Sequence, residues 1–173
     1  HGVVLCALGW AGWKTYLGRP ETDWAHGLAM SLLGSGLSSA DHDEEALSVD
    51  ETRLSMMRRL GACEHNMLVM QGNLAVTYER LGRHEESLRM RQEVYSGHLR
   101  LNGKEHLETL RGAYNNVNSL YHLRRYKEAK SLMRKTVPVA RRVLGEGDRL
   151  TLKMKWLYAK ALHEDPAAAL DDL

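Results

Sequence analysis

"NLAVTYERLGRHEESL" (residues 73–88) is followed 42 residues later by "NNVNSLYHLRRYKEAK" (residues 115–130). The two stretches align Asn73 with Asn115, Leu81 with Leu123, Arg83 with Arg125 and Glu86 with Glu128, and they pair small Ser87 with small Ala129. Over residues 73–110 against 115–152 the offset gives eight identities in 38 positions, the others being Arg100/Arg142, Gly103/Gly145, Thr109/Thr151 and Leu110/Leu152. Chance matching at ordinary residue frequencies gives roughly two or three. Upstream, Gly61 and Leu68 fall on Gly103 and Leu110; downstream, Ala75, Val117 and Ala159 stay in register. A period of this length marks a repeat architecture.

Each unit reads as two helices. In "HLETLRGAYNNVNSLYHLRR" (106–125) Leu110, Ala113, Val117, Leu120 and Leu123 step by three or four, which forms one helical stripe. "LGR" (81–83) and "LRR" (123–125) interrupt it, and a second helix starts near His84 or Tyr126, with Glu early and Arg late, as the helix dipole favours. Gly103 and Gly145 offer C-caps, and Asp148 an N-cap. Small residues are expected where the two helices cross, with Ala75, Val117 and Ala159 facing Ser87 and Ala129. Bulky side chains there would force the axes beyond the usual 8–10 Å or so. A single pair cannot bury its whole stripe, so each unit needs a neighbour stacked on it.

The sequence thus predicts an irregular helical start at 1–40 and a helix at about 43–60. Helical pairs follow at 65–81 with 84–102 and at 106–123 with 126–144, then a first helix at 148–163. "PAAALDDL" begins its partner, with Pro166 suited to a helix start. Pro138, inside "TVPVARR", is expected to kink its helix by removing the hydrogen bond to the Arg134 carbonyl. Two domains are expected: a degenerate helical segment at 1–40 and a repeat array at 41–173 whose last repeat is truncated.

The pattern Ala75, Tyr78, Gly82, Ser87, with Tyr126 and Ala129 in the next unit, resembles tetratricopeptide repeats. The 42-residue period and the linkers "NGKEHLETL" and "LGEGDRLTL" resemble the longer repeats of kinesin light chains, whose linkers run Leu-Gly-x-x-His-x-x-Thr-Leu. The chain departs from that pattern at Asp148, which replaces the linker His matched by His106. It departs also at Asn116, where an apolar residue is usual, and at Arg91 and Met133, where an aromatic is common. The resemblance implies an all-α, right-handed superhelix of stacked antiparallel helix pairs. Its first helices would line a concave groove that binds peptides, and its second helices would line the outside.

Composition agrees with an all-helical protein: no Phe, three Pro, and abundant Leu, Ala, Met, Arg and Glu. The net charge is only +2, yet residues 21–55 hold eight acids and one base, and residues 111–160 hold thirteen bases and three acids. Two distant cysteines, Cys6 and Cys63, argue against a disulfide framework and for a reduced, intracellular and cytoplasmic setting. "VVLCALGWAGW" (3–13) is too short to span a bilayer. Opening on His1 and closing on "LDDL" within a helical pattern, the chain reads as a piece of a longer protein. Its nine histidines lack the paired short spacing of a zinc site, no phosphate-binding Gly motif occurs, and nothing places a nucleophile. No enzyme, cofactor or metal is expected.

Two surfaces remain as candidates. On the first helices Arg111, Asn115, Asn118 and His122 share a face beside the packed stripe; Asn73 and Arg80 take equivalent places one unit earlier, and Lys153 and Lys160 one unit later. Asn and basic side chains suit an extended, partly acidic peptide, gripped through its amides and carboxylates. On the second helix Lys127, Lys130, Arg134 and Arg141 form a basic face that reads as solvated. Aromatics for base stacking are thin there, which disfavours nucleic acid. The expected function is a protein-interaction scaffold or adaptor holding a peptide in the groove. The alternative is a regulatory arm of a larger signalling ATPase or other enzyme, whose catalytic domain lies elsewhere.

Overall fold

The computed structural model describes residues 2–16, 20 and 24–165. Among them run eight α-helices and no strand: α1 (Gly2–Tyr16), α2 (Trp24–Ser39), α3 (Asp43–Arg59), α4 (Glu64–Arg80), α5 (His84–Asn102), α6 (Leu107–His122), α7 (Tyr126–Leu144) and α8 (Arg149–Glu164). Helices α3 to α8 fall within one or two residues of the spans expected from periodicity. The helix expected at "PAAALDDL" lies outside the described residues. The chain divides into two units, residues 1–87 and 88–173.

The 42-residue period is written into the backbone. Gly61, Gly103 and Gly145 all take positive φ (64°, 77° and 97°), each just beyond the second helix of its repeat. Gly82 and Arg124, also 42 apart, take positive φ at the end of the first helix (72° and 58°). At those two ends the chain closes in the same way. The Arg83 N–H donates to the Tyr78 carbonyl at 2.9 Å, and the Arg125 N–H donates to the Leu120 carbonyl at 2.8 Å. This is the six-to-one closure of a helix C-terminus, which needs one left-handed residue. Arg124 adopts that conformation with a side chain, at a cost of about 1–2 kcal/mol that glycine avoids.

In the first unit α1 and α2 are regular helices, where the sequence reads as an irregular start. Glycine is the reason. A Cβ on Gly9 would lie 2.5 Å from the Leu33 backbone, and one on Gly36 would lie 2.3 Å from the Cys6 nitrogen. The same residues that lower helix propensity let these two axes approach closely. Further along, Ala29, Met30, Leu33, Ala46, Leu47, Leu54, Leu68, Leu74 and Ala75 are buried. The expected small-residue crossing is present: the buried Ser87 hydroxyl donates to the Ala75 carbonyl at 2.8 Å. Tyr78, one turn later, is buried and donates its hydroxyl to Glu51 at 2.7 Å.

In the second unit Leu88, Leu110, Val117, Leu120, Ala129, Met133, Ala140, Met154, Leu157 and Ala161 form one core cluster. Ala113, Val117 and Ala129 are fully buried, as a close crossing requires. The two linker residues that differ in type do one job. The His106 ring accepts from the Glu108 N–H at 3.2 Å to start α6, and Asp148 accepts from the Leu150 N–H at 2.8 Å to start α8. Asn116 is buried, and its Oδ1 has no hydrogen-bond partner among the described residues. Arg91, in place of an aromatic, is buried and donates to the Asn115 carbonyl at 3.0 Å. Helix α7 runs unbroken through Pro138, whose ring faces solvent. On α8, Leu152 and Trp156 are 51% and 62% exposed and Ala159 is exposed, whereas Leu110 and Val117 one period earlier are buried.

Two measurements test this description. Gly72 lies inside α4 and Gly82 at its left-handed end, and an added Cβ meets nothing within 4 Å at either. Gly72→Ala should therefore raise stability by about 0.5–1 kcal/mol and Gly82→Ala lower it by about 1–2 kcal/mol, read as opposite shifts of a urea midpoint. Burial, then the hydrogen bond to Glu51, pushes the Tyr78 phenol up to about 12. The folded state then keeps its proton while the unfolded chain, with an ordinary value near 10, loses it. Stability should fall as pH rises from about 10 to 12, and Tyr78→Phe should remove that component of the slope.

Candidate peptide-binding site

Two clefts, one in each unit, hold four of the eight residues picked out on the first helices. In the second unit a cleft of about 450 Å³ opens beside α6 and the start of α8. Arg111, Tyr114 and Asn115 contribute from α6, and Arg149, Leu150 and Lys153 from α8. Helical spacing explains the α6 wall: positions 111 and 115 lie one turn apart, with Tyr114 between them on the packed side. Arg111 donates to Glu108 at 2.9 Å, an exposed pair that leaves most of its guanidinium donors to the cleft. The Lys153 ammonium stands 5.9 Å from the centroid of the Tyr114 ring. That distance is at the outer limit of cation–π attraction.

Three of the expected residues, Arg111, Asn115 and Lys153, therefore meet in one cleft. Asn118, His122 and Lys160 are not among its walls. Lys160 instead lies over two rings, 4.7 Å from the Tyr121 centroid and 4.5 Å from that of Trp156. His122 is exposed and packs edge-on to Tyr121 at 5.8 Å. The cleft is thus cationic, with aromatic edges and one carboxylate, Asp148, already spent on capping α8.

In the first unit Asn73 lines a different cleft, of about 320 Å³, with Ser31 and Ser35 from α2, Asp50 and Arg53 from α3, and Thr77 from α4. Burial pushes the Asp50 carboxyl above the usual carboxylate range, while Arg53 and a hydrogen bond from Thr77 pull the other way. Burial lowers Arg53, opposed by Asp50. Arg80 is engaged elsewhere: its Nε lies 3.0 Å from Asp43 Oδ1 and its Nη2 3.0 Å from Asp41 Oδ1. The acidic start of α3 therefore holds the cation that sequence reasoning assigned to a ligand.

Sequence reasoning missed Tyr114 and Arg149 in one cleft and the serines, Asp50 and Arg53 in the other. The signal for the serines was available, since Ser31, Asn73 and Asn115 are spaced by 42, as are Ser35 and Thr77. Asp50 and Arg53 left no such signal, because they reach the cleft from a second helix.

The basic face of α7 is less free than its sequence suggests. Lys130 and Asp165 pair at 2.9 Å, with side chains only 12% and 7% exposed. Arg141 pairs with Glu146, which also receives Lys155 at 3.1 Å. Lys155 first, then Arg141, holds the Glu146 carboxyl below its usual range. Lys127 and Arg134 keep exposed positions on the α7 face.

Residues 68–108 and 112–149 match the family model of the tetratricopeptide repeat. With the helix pairs and the backbone period, they give this chain the fold of an all-α tetratricopeptide-repeat solenoid. One similar solved structure holds the nearly identical TPR-like repeats attributed to a kinesin light chain of Podosopora anserina. It is 19% identical with a TM-score of 0.77, over 92% of this chain and 75% of that one. A variant of it matches over 92% and 74%, again at 19% identity and a TM-score of 0.77. BtubC (BKLC) of P. vanneervenii matches with a TM-score of 0.71 at 16% identity, over 97% and 67%. At such identities the likeness is one of fold. No curated protein matches the sequence. Repeats of this class are typically non-catalytic interaction scaffolds, and no helix among the described residues is long and apolar enough to cross a membrane.

The Lys130–Asp165 pair gives a direct stability test. Asp165→Asn should leave a nearly buried ammonium uncompensated and cost about 3–5 kcal/mol, whereas Lys130→Met with Asp165→Leu should recover most of the loss. A cost below about 1 kcal/mol for the single change would mean the pair is solvent-screened.

Proposed function

We propose that this chain is a protein-interaction module that holds an extended, partly acidic peptide against its first helices. Arg111, Asn115 and Lys153 carry the contact in the second unit. The observation behind this reading is their convergence on one cleft, where two cations and a carboxamide sit beside an aromatic ring. Asn115 can both donate to and accept from a peptide main chain, which fixes an extended strand without reading its sequence. Arg111, Arg149 and Lys153 favour carboxylates alongside it. Asn118, His122 and Lys160 extend the contact along the helices of the second unit, and Asn73 and Arg80 take the equivalent helical positions in the first unit, with Arg80 contributing only if it leaves Asp41 and Asp43. The setting proposed for such a module is the cytoplasm.

Peptides selected from a random library against the full chain test the proposal. Binders should be extended and moderately acidic, and their affinity should fall with added salt, because exposed charges are screened over about 8–10 Å at physiological ionic strength. Asn115→Ala should weaken binding by about 0.5–1.5 kcal/mol without unfolding the protein. Arg111→Gln with Lys153→Gln should weaken it further and flatten the salt dependence. Lys127→Gln with Lys135→Gln on α7, a control that spares the buried Lys130, should change little. If the α7 changes abolish binding and Asn115→Ala does nothing, the partner sits on the outer face and the proposal fails.

A further inference from the structure

The cleft of the first unit differs in chemistry from that of the second. Its charged groups are one carboxylate and one guanidinium, both half-buried. Around them stand the hydroxyls of Ser31, Ser35 and Thr77 and the carboxamide of Asn73. Among the described residues the one hydrogen bond of the Arg53 guanidinium goes to the Met70 thioether, at 3.1 Å. A thioether is a weak acceptor, so a group with five donors has most of them unspent. Among the described residues Thr77 alone acts on the Asp50 carboxyl through a side-chain hydrogen bond, which leaves carboxylate lone pairs unused. Beside it, Gly34 keeps the space open: a Cβ there would lie 2.8 Å from Asp50 Oδ1.

Each charge excludes one class of ligand. An anion drawn to Arg53 meets Asp50, and a cation drawn to Asp50 meets Arg53, in a setting where burial strengthens both repulsions. A neutral dipole meets neither. An amide offers a C=O for the guanidinium and an N–H for the carboxylate, and the surrounding hydroxyls can take its remaining hydrogen-bonding groups. We infer that the cleft lined by Ser31, Ser35, Asp50, Arg53, Asn73 and Thr77 is a binding site for an uncharged amide group of a polypeptide, with Arg53 donating to its oxygen and Asp50 accepting from its nitrogen. Its volume of about 320 Å³ lies at the small end of the range of about 300–1,000 Å³ for ligand pockets. The amide can be the side chain of Gln or Asn, or a main-chain peptide group. The inference rests on the interaction-module reading only in taking a polypeptide as the ligand; it does not require the acidic contact at Arg111 and Lys153.

Three blocked tripeptides, Ac-Ala-Gln-Ala-NH₂, Ac-Ala-Ala-Ala-NH₂ and Ac-Ala-Glu-Ala-NH₂, titrated into the full chain and followed by amide chemical shifts, test the site. Shifts should cluster at Ser35, Asn73 and Thr77. A Gln peptide binding more tightly than both others identifies a side-chain amide; Gln and Ala peptides binding alike, and more tightly than Glu, identify a main-chain amide. Arg53→Met should weaken the preferred peptide about tenfold, as expected for losing a hydrogen bond to a charged donor. Asp50→Asn leaves the guanidinium unopposed and should invert the order, so that the Glu peptide binds best. Ser35→Ala and Asn73→Ala, at exposed positions, should each weaken binding about threefold if the half-buried variants fail to fold. Arg111→Gln with Lys153→Gln should leave these shifts unchanged, so failure of the acidic-peptide reading would not touch this one. The inference is overturned if the Glu peptide binds best to the unaltered chain, if the shifts do not cluster at the cleft, or if Asp50→Asn leaves the order as it was.

Discussion

A helix pair of this kind exists only where two axes can come close, and the chain meets that condition with small residues at one recurring place. Ser87 is buried against Ala75 and donates its hydroxyl to the Ala75 carbonyl. One period later Val117 and Ala129 are both fully buried. A larger side chain at either crossing would separate the helices and open the stripe that packs beneath them. The rest follows from this spacing. The apolar stripe of each first helix must be covered by its own partner and by the next repeat, so the pattern must return, and it returns every 42 residues.

The fold was legible in the sequence wherever a local rule coincided with the period. Helices α3 to α8, the capping role of Asp148 and the left-handed glycines all follow from short-range chemistry that repeats. The α1–α2 pair was not legible, because its glycines read as helix breakers until their close contacts with Leu33 and Cys6 are known. Arg124 was hidden for a related reason: nothing in its side chain announces a left-handed backbone. The Lys130–Asp165 pair joins residues 35 apart, one on α7 and one just beyond the end of α8, so a sequence scan sees a solvated lysine where the structure has a nearly buried one.

The candidate site was legible in part. A helical face at spacings of four and three located Arg111 and Asn115, and the period located Lys153; all three line one cleft. What the helical wheel could not show is which charges are already occupied. Arg80 shares the helical position of His122 one period on, yet it is tied to Asp41 and Asp43. The uneven charge of the sequence thus resolves into two local environments. The first unit answers its own arginines with acids on α3, and the second leaves Arg111, Arg149 and Lys153 around an aromatic cleft. One chain therefore offers a balanced polar cleft and a cationic one, each suited to different groups of a polypeptide.

The most direct measurement of the central claim is the position of a bound peptide relative to the Tyr114 ring. In a complex of the chain with a selected acidic peptide, intermolecular nuclear Overhauser contacts should connect peptide protons to Tyr114 and Leu150, the ring and the aliphatic side chain that line the cleft beside Arg111 and Lys153. Contacts confined to Leu132, Val139 and Val143 on α7, with none to Tyr114, would contradict the account.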